Sequence, residues 1–184
     1  MAIRRILTHP DESLRSPAKA VANIDGKTVA WIEDMVQTMY AAPGCGLAAP
    51  QIGLSERIVV LDIGDEEEDG GERGKHLVKL VNPEITEAEG ESIFEEGCLS
   101  VVDFRSEVKR AARVLVKGWD TEQKEVSIEA DGLLAVVLQH EIDHLEGTLF
   151  IDRLSRLKRD MYSRRLKKSL RDGRPGATGR AAGY

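Results

Sequence analysis

Two histidines one helical turn apart give residues 139–147 the clearest chemical signature in the sequence. His140 and His144 have the His-Glu-x-x-His spacing, which on a helix places both imidazoles on one face, within reach of a single cation. Glu141 lies about 100° further around the helix, where its carboxylate can take a proton from an ion-activated water. The alternative is a solvated helix that carries two histidines, but the apolar run 133–138 predicts a buried one. The spacing therefore predicts metal-assisted hydrolysis.

The third protein ligand of this metal site is expected upstream of the histidines. One peptidase class with the same spacing needs a histidine six residues after the second, where this chain has Phe150. Another uses a later glutamate, and no glutamate follows Glu146. The later aspartates fall at a helix junction and on a basic helix. A thiolate competes strongly for a borderline-soft divalent ion. We therefore favour Cys98, with water in the fourth position; the other candidates are Cys45, His9 and His76.

Hydrophobic patterning predicts the elements that must position these residues. Apolar residues at three- and four-residue steps indicate an amphipathic helix over 25–40. Apolar or alternating runs indicate strands at 57–63 and 76–81 and a hairpin formed by 113–119 and 124–129. Asn82 and Pro83 are expected to close the second strand. Asp131 is expected to cap the histidine helix and Gly147 to end it.

Two further segments carry unusual chemistry. Residues 44–53 contain three glycines and two alanines, a backbone that other atoms can approach closely, and Gln51 is their one amide side chain. The alternative there is a simple glycine-rich turn, and no Gly-Lys-Ser/Thr follows to make a phosphate loop. Residues 95–100 place Cys98 after two carboxylates and a glycine, which makes it a candidate ligand. The alternative, a buried inert thiol, fits this segment equally well.

The composition is that of an ordinary soluble domain, with 41% hydrophobic and 32% charged residues among 184. We expect residues 1–172 to form a single catalytic domain and 173–184 a disordered tail. Two cysteines and no export signal indicate a cytoplasmic protein with reduced thiols, and the longest apolar run, six residues, argues against membrane association. Residues 151–184 carry a charge of +8 although the whole chain carries −6, so a basic helix expected over 154–172 follows an acidic body.

Segments 44–51, 96–100 and 139–144 together resemble peptide deformylase. That family carries Gly-x-Gly-Leu-Ala-Ala-x-Gln, Glu-Gly-Cys-Leu-Ser and Gln-His-Glu-x-x-His segments in this order, and the resemblance runs from about residue 3 to residue 155. It implies an α+β fold in which antiparallel β-sheets pack around a central metal-binding helix, with a helix at the C-terminal end. It also implies removal of the formyl group from N-formylmethionine of new polypeptides, releasing formate. Amide hydrolysis follows from the site chemistry, whereas the formyl substrate follows only from the resemblance.

The resemblance assigns catalytic roles by position. It implies that the metal ligands are Cys98, His140 and His144. Glu141 would be the general base and then the general acid. The family's oxyanion donors fall on the Gln51 side chain and the Leu99 backbone N–H, in keeping with the need for fixed donors at a developing negative charge.

Substrate contacts are likewise implied by the resemblance. The backbone at Gly46 and Gly97 is expected to hold the peptide in an extended pose. Arg105 matches a family arginine near the later residues of the peptide. The methionine pocket falls on apolar or soft side chains suited to a thioether, namely Cys45, Phe94, Leu133 and Val137. The chain departs from the family at Val102, where a proline is usual, and this concerns the backbone beside the substrate.

The implied cofactor is one divalent metal ion, Fe²⁺ in the cell, with Zn²⁺, Ni²⁺ or Co²⁺ also accepted. The implied partner is the N-formylmethionyl nascent peptide, and neither DNA nor membrane is expected. The basic helix at 154–172 suggests docking to ribosomal RNA, and the alternative is a solvated, frayed helix. Two rival functions remain open: a zinc endopeptidase, and a silent family member that binds nascent peptide around a structural metal.

Overall fold

The structure, a computed structural model, describes residues 2–64 and 74–171. Residues 65–73, which are rich in aspartate and glutamate, and the tail at 173–184, which we expected to be disordered, lie outside the described residues. Within these limits the chain forms two antiparallel sheets and three α-helices. None of the helices in the described ranges combines the length and apolar character needed to span a bilayer.

The larger sheet has five strands and the smaller sheet has two. In chain order the strands are β1 (Gly46–Ala48), β2 (Ile58–Leu61), β3 (Val78–Glu89), β4 (Ser92–Cys98), β5 (Val101–Arg110), β6 (Arg113–Trp119) and β7 (Glu125–Asp131). The five-stranded sheet has the order β1-β2-β3-β6-β7, and every pair in it is antiparallel. β4 and β5 form the second sheet as a hairpin. The hairpin predicted over 113–119 and 124–129 is confirmed as β6 and β7.

The helices are α1 (Gly26–Ala41), α2 (Gly132–Leu145) and α3 (Arg156–Arg171). α1 begins where predicted because the Asp25 side chain accepts a hydrogen bond from the backbone N–H of Thr28. α2 ends before Gly147, which has a φ of 69°, a conformation that favours glycine. The prediction that Asp131 caps α2 is wrong in one respect: Asp131 occupies the cap position, but its side chain makes no capping hydrogen bond.

β3 corrects the prediction that Asn82 and Pro83 close a strand. The strand continues to Glu89, with an irregular register between Val81 and Glu84 that accommodates the missing N–H of the proline. Asn82 has a φ of 52°, and its side chain pairs with both backbone groups of Val21, at 2.8 and 2.9 Å. These hydrogen bonds to a distant segment therefore outweigh the tendency of Asn82 and Pro83 to end the strand.

The five-stranded sheet is covered on both faces, which fixes the position of α2. On β2, Val59 and Leu61 pack in the cluster that contains α2, whereas Ile58 and Val60 pack against α1. This two-sided burial explains why β2 is apolar throughout rather than alternating. A third cluster joins β5, the segment after α2 and Tyr162 of α3. α2 is thus enclosed by the five-stranded sheet, the β4–β5 hairpin and the segment that follows α2 in the chain.

Candidate metal centre

Cys98, His140 and His144 form a compact group in the interior. One potential ligand atom from each lies within 4.8 Å of the others, and the Cys98 Sγ is 3.2 Å from the His144 Nε2. His140 and His144 are about 2% and 1% exposed. Two of the donors come from one face of α2 because they are four residues apart, and the third comes from the end of β4. The structure therefore brings together the three residues that the sequence predicted as ligands.

The other upstream candidates for the third ligand lie elsewhere. The His9 Nδ1 is 3.0 Å from the Tyr162 hydroxyl, which joins the N-terminal segment to α3. Cys45 is half-buried in the core cluster around α2, where burial, followed by the charge of Glu141, raises the pKa of its thiol. Neither of them, nor His76, belongs to the group of potential ligands found among the described residues.

The donor set fits a divalent ion. Donors around one tetrahedral Zn²⁺ with ordinary Zn–N and Zn–S bond lengths are about 3.3–3.6 Å apart. The potential ligand atoms of Cys98, His140 and His144 lie within 4.8 Å of one another, so small side-chain adjustments would bring them to these distances. Glu141 supplies an independent observation, because its Oε2 is buried and has no hydrogen-bond partner among the residues that the structure describes. A buried polar atom without a partner is rare and costly, and it marks a place for a bound group or water.

Glu141 is held beside the group by close packing. Its side chain is about 2% exposed, and burial raises the pKa of its carboxyl to about 7. The backbone of Gly46 lies against it: a β-carbon at Gly46 would be 2.8 Å from the Glu141 Cδ. Glycine at position 46 thus allows the carboxylate to occupy its place next to the histidines.

Glu96 contacts a predicted ligand, His140, although the sequence did not single it out as a site residue. Its Oε2 lies 2.9 Å from the His140 Nδ1, and a carboxylate can only accept there, so the His140 Nδ1 donates and the Nε2 is the ring nitrogen that can bind an ion. Burial alone would raise the pKa of Glu96, but hydrogen bonds from Arg110 and His140 outweigh it and hold the pKa at about 2. The available signal was its position two residues before Cys98, in the same Glu-Gly-Cys-Leu-Ser segment.

Gln51 is fixed at the edge of the group by both ends of its amide. Its Oε1 accepts from the Ala48 N–H at 2.8 Å, and its Nε2 donates to the Ser100 hydroxyl at 3.1 Å. The same Nε2 is 3.7 Å from the Cys98 Sγ. Leu99 follows Cys98 directly and packs against the glycine-rich segment, since a β-carbon at Gly44 would be 2.8 Å from the Leu99 Cδ1. The 44–51 and 96–100 segments therefore meet, as the site requires.

The residues implied for substrate binding are only partly gathered. Cys45, Leu133 and Val137 belong to the same core cluster around α2. Gly46 and Gly97 lie in β1 and β4, each an edge strand of its sheet.

Phe94 and Arg105 lie further along the β4–β5 hairpin. Phe94 is half-buried on β4, and the Arg105 guanidinium on β5 is 3.7 Å from the Glu95 carboxylate. Val102, which replaces the usual proline, is inside β5.

Comparison with known proteins places this geometry in a family. The sequence profile described as polypeptide deformylase matches residues 3–160. A peptide deformylase of Syntrophobacter fumaroxidans is 51% identical over 172 residues, which cover 94% of this chain and 98% of that protein.

Solved structures agree with the sequence relatives. The crystal structure of a peptide deformylase from Legionella pneumophila is 50% identical, with a TM-score of 0.82 and coverage of 94% of this chain and 98% of that one. A peptide deformylase from Ehrlichia chaffeensis in complex with actinonin is 37% identical, with a TM-score of 0.84 over 93% of this chain and 99% of that one. The α+β fold predicted for this sequence is thereby confirmed, and the chain belongs to the polypeptide deformylase family.

Proposed function

We propose that this chain hydrolyses the formyl amide of N-formylmethionyl peptides and releases formate and a free α-amine. Its family membership supports the reaction, and one structural observation carries the mechanism. Buried Glu141, whose Oε2 has no hydrogen-bond partner within 2–64 and 74–171, lies beside the Cys98, His140 and His144 group. Water adds to the formyl carbon, the C–N bond breaks, and the amine nitrogen receives a proton.

Cys98, His140 and His144 are proposed to hold one divalent ion. When bound, such an ion polarises a carbonyl and lowers the pKa of a water molecule. Glu96 keeps the His140 ring in the orientation that presents its Nε2 to the group. Glu141 accepts the proton of the attacking water at its unpartnered Oε2 and then delivers it to the leaving amine.

Gln51 and the Leu99 backbone N–H are proposed as donors to the developing oxyanion. The Gln51 amide cannot rotate without losing its bonds to Ala48 and Ser100, so its Nε2 stays beside Cys98 throughout the reaction. A preorganised donor of this kind typically lowers the barrier by about 3 kcal/mol, because no reorganisation is needed when charge develops.

The peptide is proposed to bind as an added strand between the two sheets. Gly46 on β1 lies against Glu141, and Gly97 on β4 directly precedes Cys98. Both strands are at the edge of their sheets, where main-chain hydrogen bonds suit peptides of many sequences. The methionine side chain would enter the apolar region of Cys45, Leu133 and Val137, with Phe94 at its border. Arg105, on the neighbouring β5, would contact later residues of the peptide.

Fe²⁺ is the metal we propose for the cell, with Zn²⁺, Ni²⁺ and Co²⁺ as functional replacements. A Cys/His/His donor set suits all four ions, so availability rather than ligand type decides among them. Metal analysis of protein purified without oxygen should find about one Fe²⁺ per chain if the proposal holds. Stoichiometric Zn²⁺ in protein purified in that way would contradict it.

We also propose that residues 1–172 act as one catalytic domain in the cytoplasm and that α3 docks to ribosomal RNA. α3 contains eight basic residues and one aspartate, and Tyr162 is its one buried residue in the described part of the helix. Most of its basic side chains are therefore presented outward, where they can replace counterions on a phosphate backbone. Truncation after Ser155 should weaken ribosome binding in a salt-dependent way; binding that is unchanged by the truncation would exclude this role.

Formate release from formyl-Met-Ala-Ser tests the main proposal. The intact, metal-loaded chain should release formate, and Glu141→Gln should retain metal while turnover falls by about 10²–10⁴-fold. A zinc endopeptidase would instead cleave an internal-bond peptide, and a silent family member would bind the formyl peptide without release. Retained turnover in Glu141→Gln would contradict the role of Glu141 as base.

A further inference from the structure

A buried guanidinium lies directly behind the candidate metal centre. Arg110 on β5 donates from Nε and Nη2 to the two oxygens of Glu96, at 2.6 and 2.8 Å, and from Nη1 to the Oδ2 of Asp143 at 2.6 Å. The side chains of Arg110, Glu96 and Asp143 are 1%, 0% and 11% exposed. Arg153, at the partly exposed end, binds the other side of Asp143 at 2.5 Å. Positive and negative groups thus alternate from the surface to the interior.

The two carboxylates that Arg110 binds belong to the two elements that supply the metal donors. Glu96 precedes Cys98 by two residues on β4, and Asp143 follows His140 by three residues on α2. Glu96 also contacts the His140 Nδ1 at 2.9 Å. Since the thiol comes from the strand and the imidazoles come from the helix, the relative position of β4 and α2 sets the spacing of the donors. Arg110 joins the two elements at that point.

The geometry of this connection suits an arginine. Its planar fork presents three N–H donors at fixed angles to two carboxylates, whereas an ammonium group has no such geometry. Stability alone does not call for a charged group here, because apolar side chains can often fill the same volume without loss. The property that the fork adds is a fixed distance and orientation between Glu96 and Asp143.

We propose that Arg110 is a positioning residue for the metal centre. By binding Glu96 and Asp143 together, it holds the strand of Cys98 against the helix of His140 and His144, so that the three donor atoms are already close before an ion arrives. This proposal rests on the proposed function, since it takes those three side chains as the ligands.

Arg110→Lys and Arg110→Met test the proposal through metal affinity. Zn²⁺ affinity, measured by competition with a chromophoric chelator, should fall about 10- to 100-fold in both variants, the usual effect of losing a partner behind the ligands. The visible absorption of the Co²⁺-loaded protein should also change, because the donor geometry is altered. kcat should fall while KM changes less than threefold. Arg113→Gln is the matched control: it removes an exposed pair with Glu89 on a neighbouring strand and should leave the affinity unchanged.

The proposal would be overturned if Arg110→Lys bound Zn²⁺ within twofold of the affinity of the unaltered chain. A positive charge without the guanidinium fork would then be enough to position the donors. The same result in Arg110→Met would overturn it as well. If neither variant folds, as judged by circular dichroism, Asp143→Asn provides the second measurement: it retains the Glu96–Arg110 pair and should still weaken Zn²⁺ binding several-fold. A failure of the ligand assignment itself looks different, because Cys98→Ser would then bind Zn²⁺ normally with Arg110 intact.

Discussion

A methyl group at position 46 should displace the proposed base without removing any proposed ligand. In Gly46→Ala the new β-carbon would lie 2.8 Å from the Glu141 Cδ and 2.9 Å from its Cγ. Carbon atoms pack at about 3.5–4.0 Å, so the carboxylate must move by roughly 0.7–1.2 Å. It cannot swing into solvent, because the side chain is almost fully buried.

The size of the effect follows from that displacement. Misplacing a reacting group by about 1 Å can cost about 100-fold in rate, equivalent to about 2.7 kcal/mol in the barrier. We therefore expect kcat for formyl-Met-Ala-Ser to fall about 100-fold in Gly46→Ala. Metal content should stay at one ion per chain, because the three atoms nearest to the new methyl group all belong to Glu141 and no proposed ligand is removed.

Gly26→Ala is the matched control for this substitution. A β-carbon at Gly26, the first residue of α1, would meet no heavy atom within 4 Å. Formate release, metal analysis and the thermal unfolding midpoint should be measured for both variants. If Gly46→Ala keeps kcat within threefold of the unaltered chain, the packing of Gly46 does not set the position of the base, and the reasoning is wrong.

Three further substitutions address the ligands, the oxyanion donor and the helix attachment. Cys98→Ser should lose or weaken the metal and Cys45→Ser should retain it, as metal analysis after dialysis would show; the reverse would exchange the roles of the two thiols. Gln51→Leu should lower kcat about 10²–10³-fold, because a donor to the oxyanion is lost. It should also lower the free energy of unfolding by about 1–3 kcal/mol in a denaturant titration, because the Ala48 N–H loses its acceptor. An unchanged kcat in the folded variant would show that Gln51 takes no part in the reaction. Tyr162→Ala should detach α3 from the core, so that limited proteolysis cuts within Arg156–Arg171. Tyr162→Phe keeps the aromatic ring beside Phe104 and should resist cleavage.

Local signals predicted the elements that depend on neighbouring residues. α1 was predicted from the 3.6-residue period of its apolar side chains together with the Asp25 cap, and both are properties of one segment. The β6–β7 hairpin was predicted from alternation on either side of a short turn. The His140 and His144 pair was recognisable for the same reason, because both donors come from one helix.

The β4–β5 hairpin escaped prediction because charged residues occupy its buried positions. Glu96 and Arg110 point inward, which breaks the alternation that marks a strand. Their burial is acceptable only because they bind each other, 14 residues apart, and Asp143, 33 residues further on. Such long-range compensation leaves no trace in a window of neighbouring residues.

The supporting contacts of the site depend on the same kind of long-range pairing. Gln51 was recognised as the one amide in its segment, but its bond to Ser100 exists only once the two segments meet. Asn82 and Pro83 gave a sound local signal to end a strand, and the bonds to Val21 overrode it. Hydrogen-bond partners that are distant in sequence therefore determine the features that the local sequence pattern did not predict.

Tolerance to substitution should differ in kind among the three helices. Residues 135–145 of α2 are all buried, whereas buried positions recur periodically in α1, and α3 buries Tyr162 alone among its described residues. Large-to-small changes at such apolar positions typically cost about 2–5 kcal/mol, and the polar positions of α2 hold proposed ligands, the proposed base and their partners. A saturation library scored for the amount of folded protein should therefore show intolerance throughout 135–145 of α2 and at periodic positions of α1. In α3 the same score should be sensitive mainly at Tyr162.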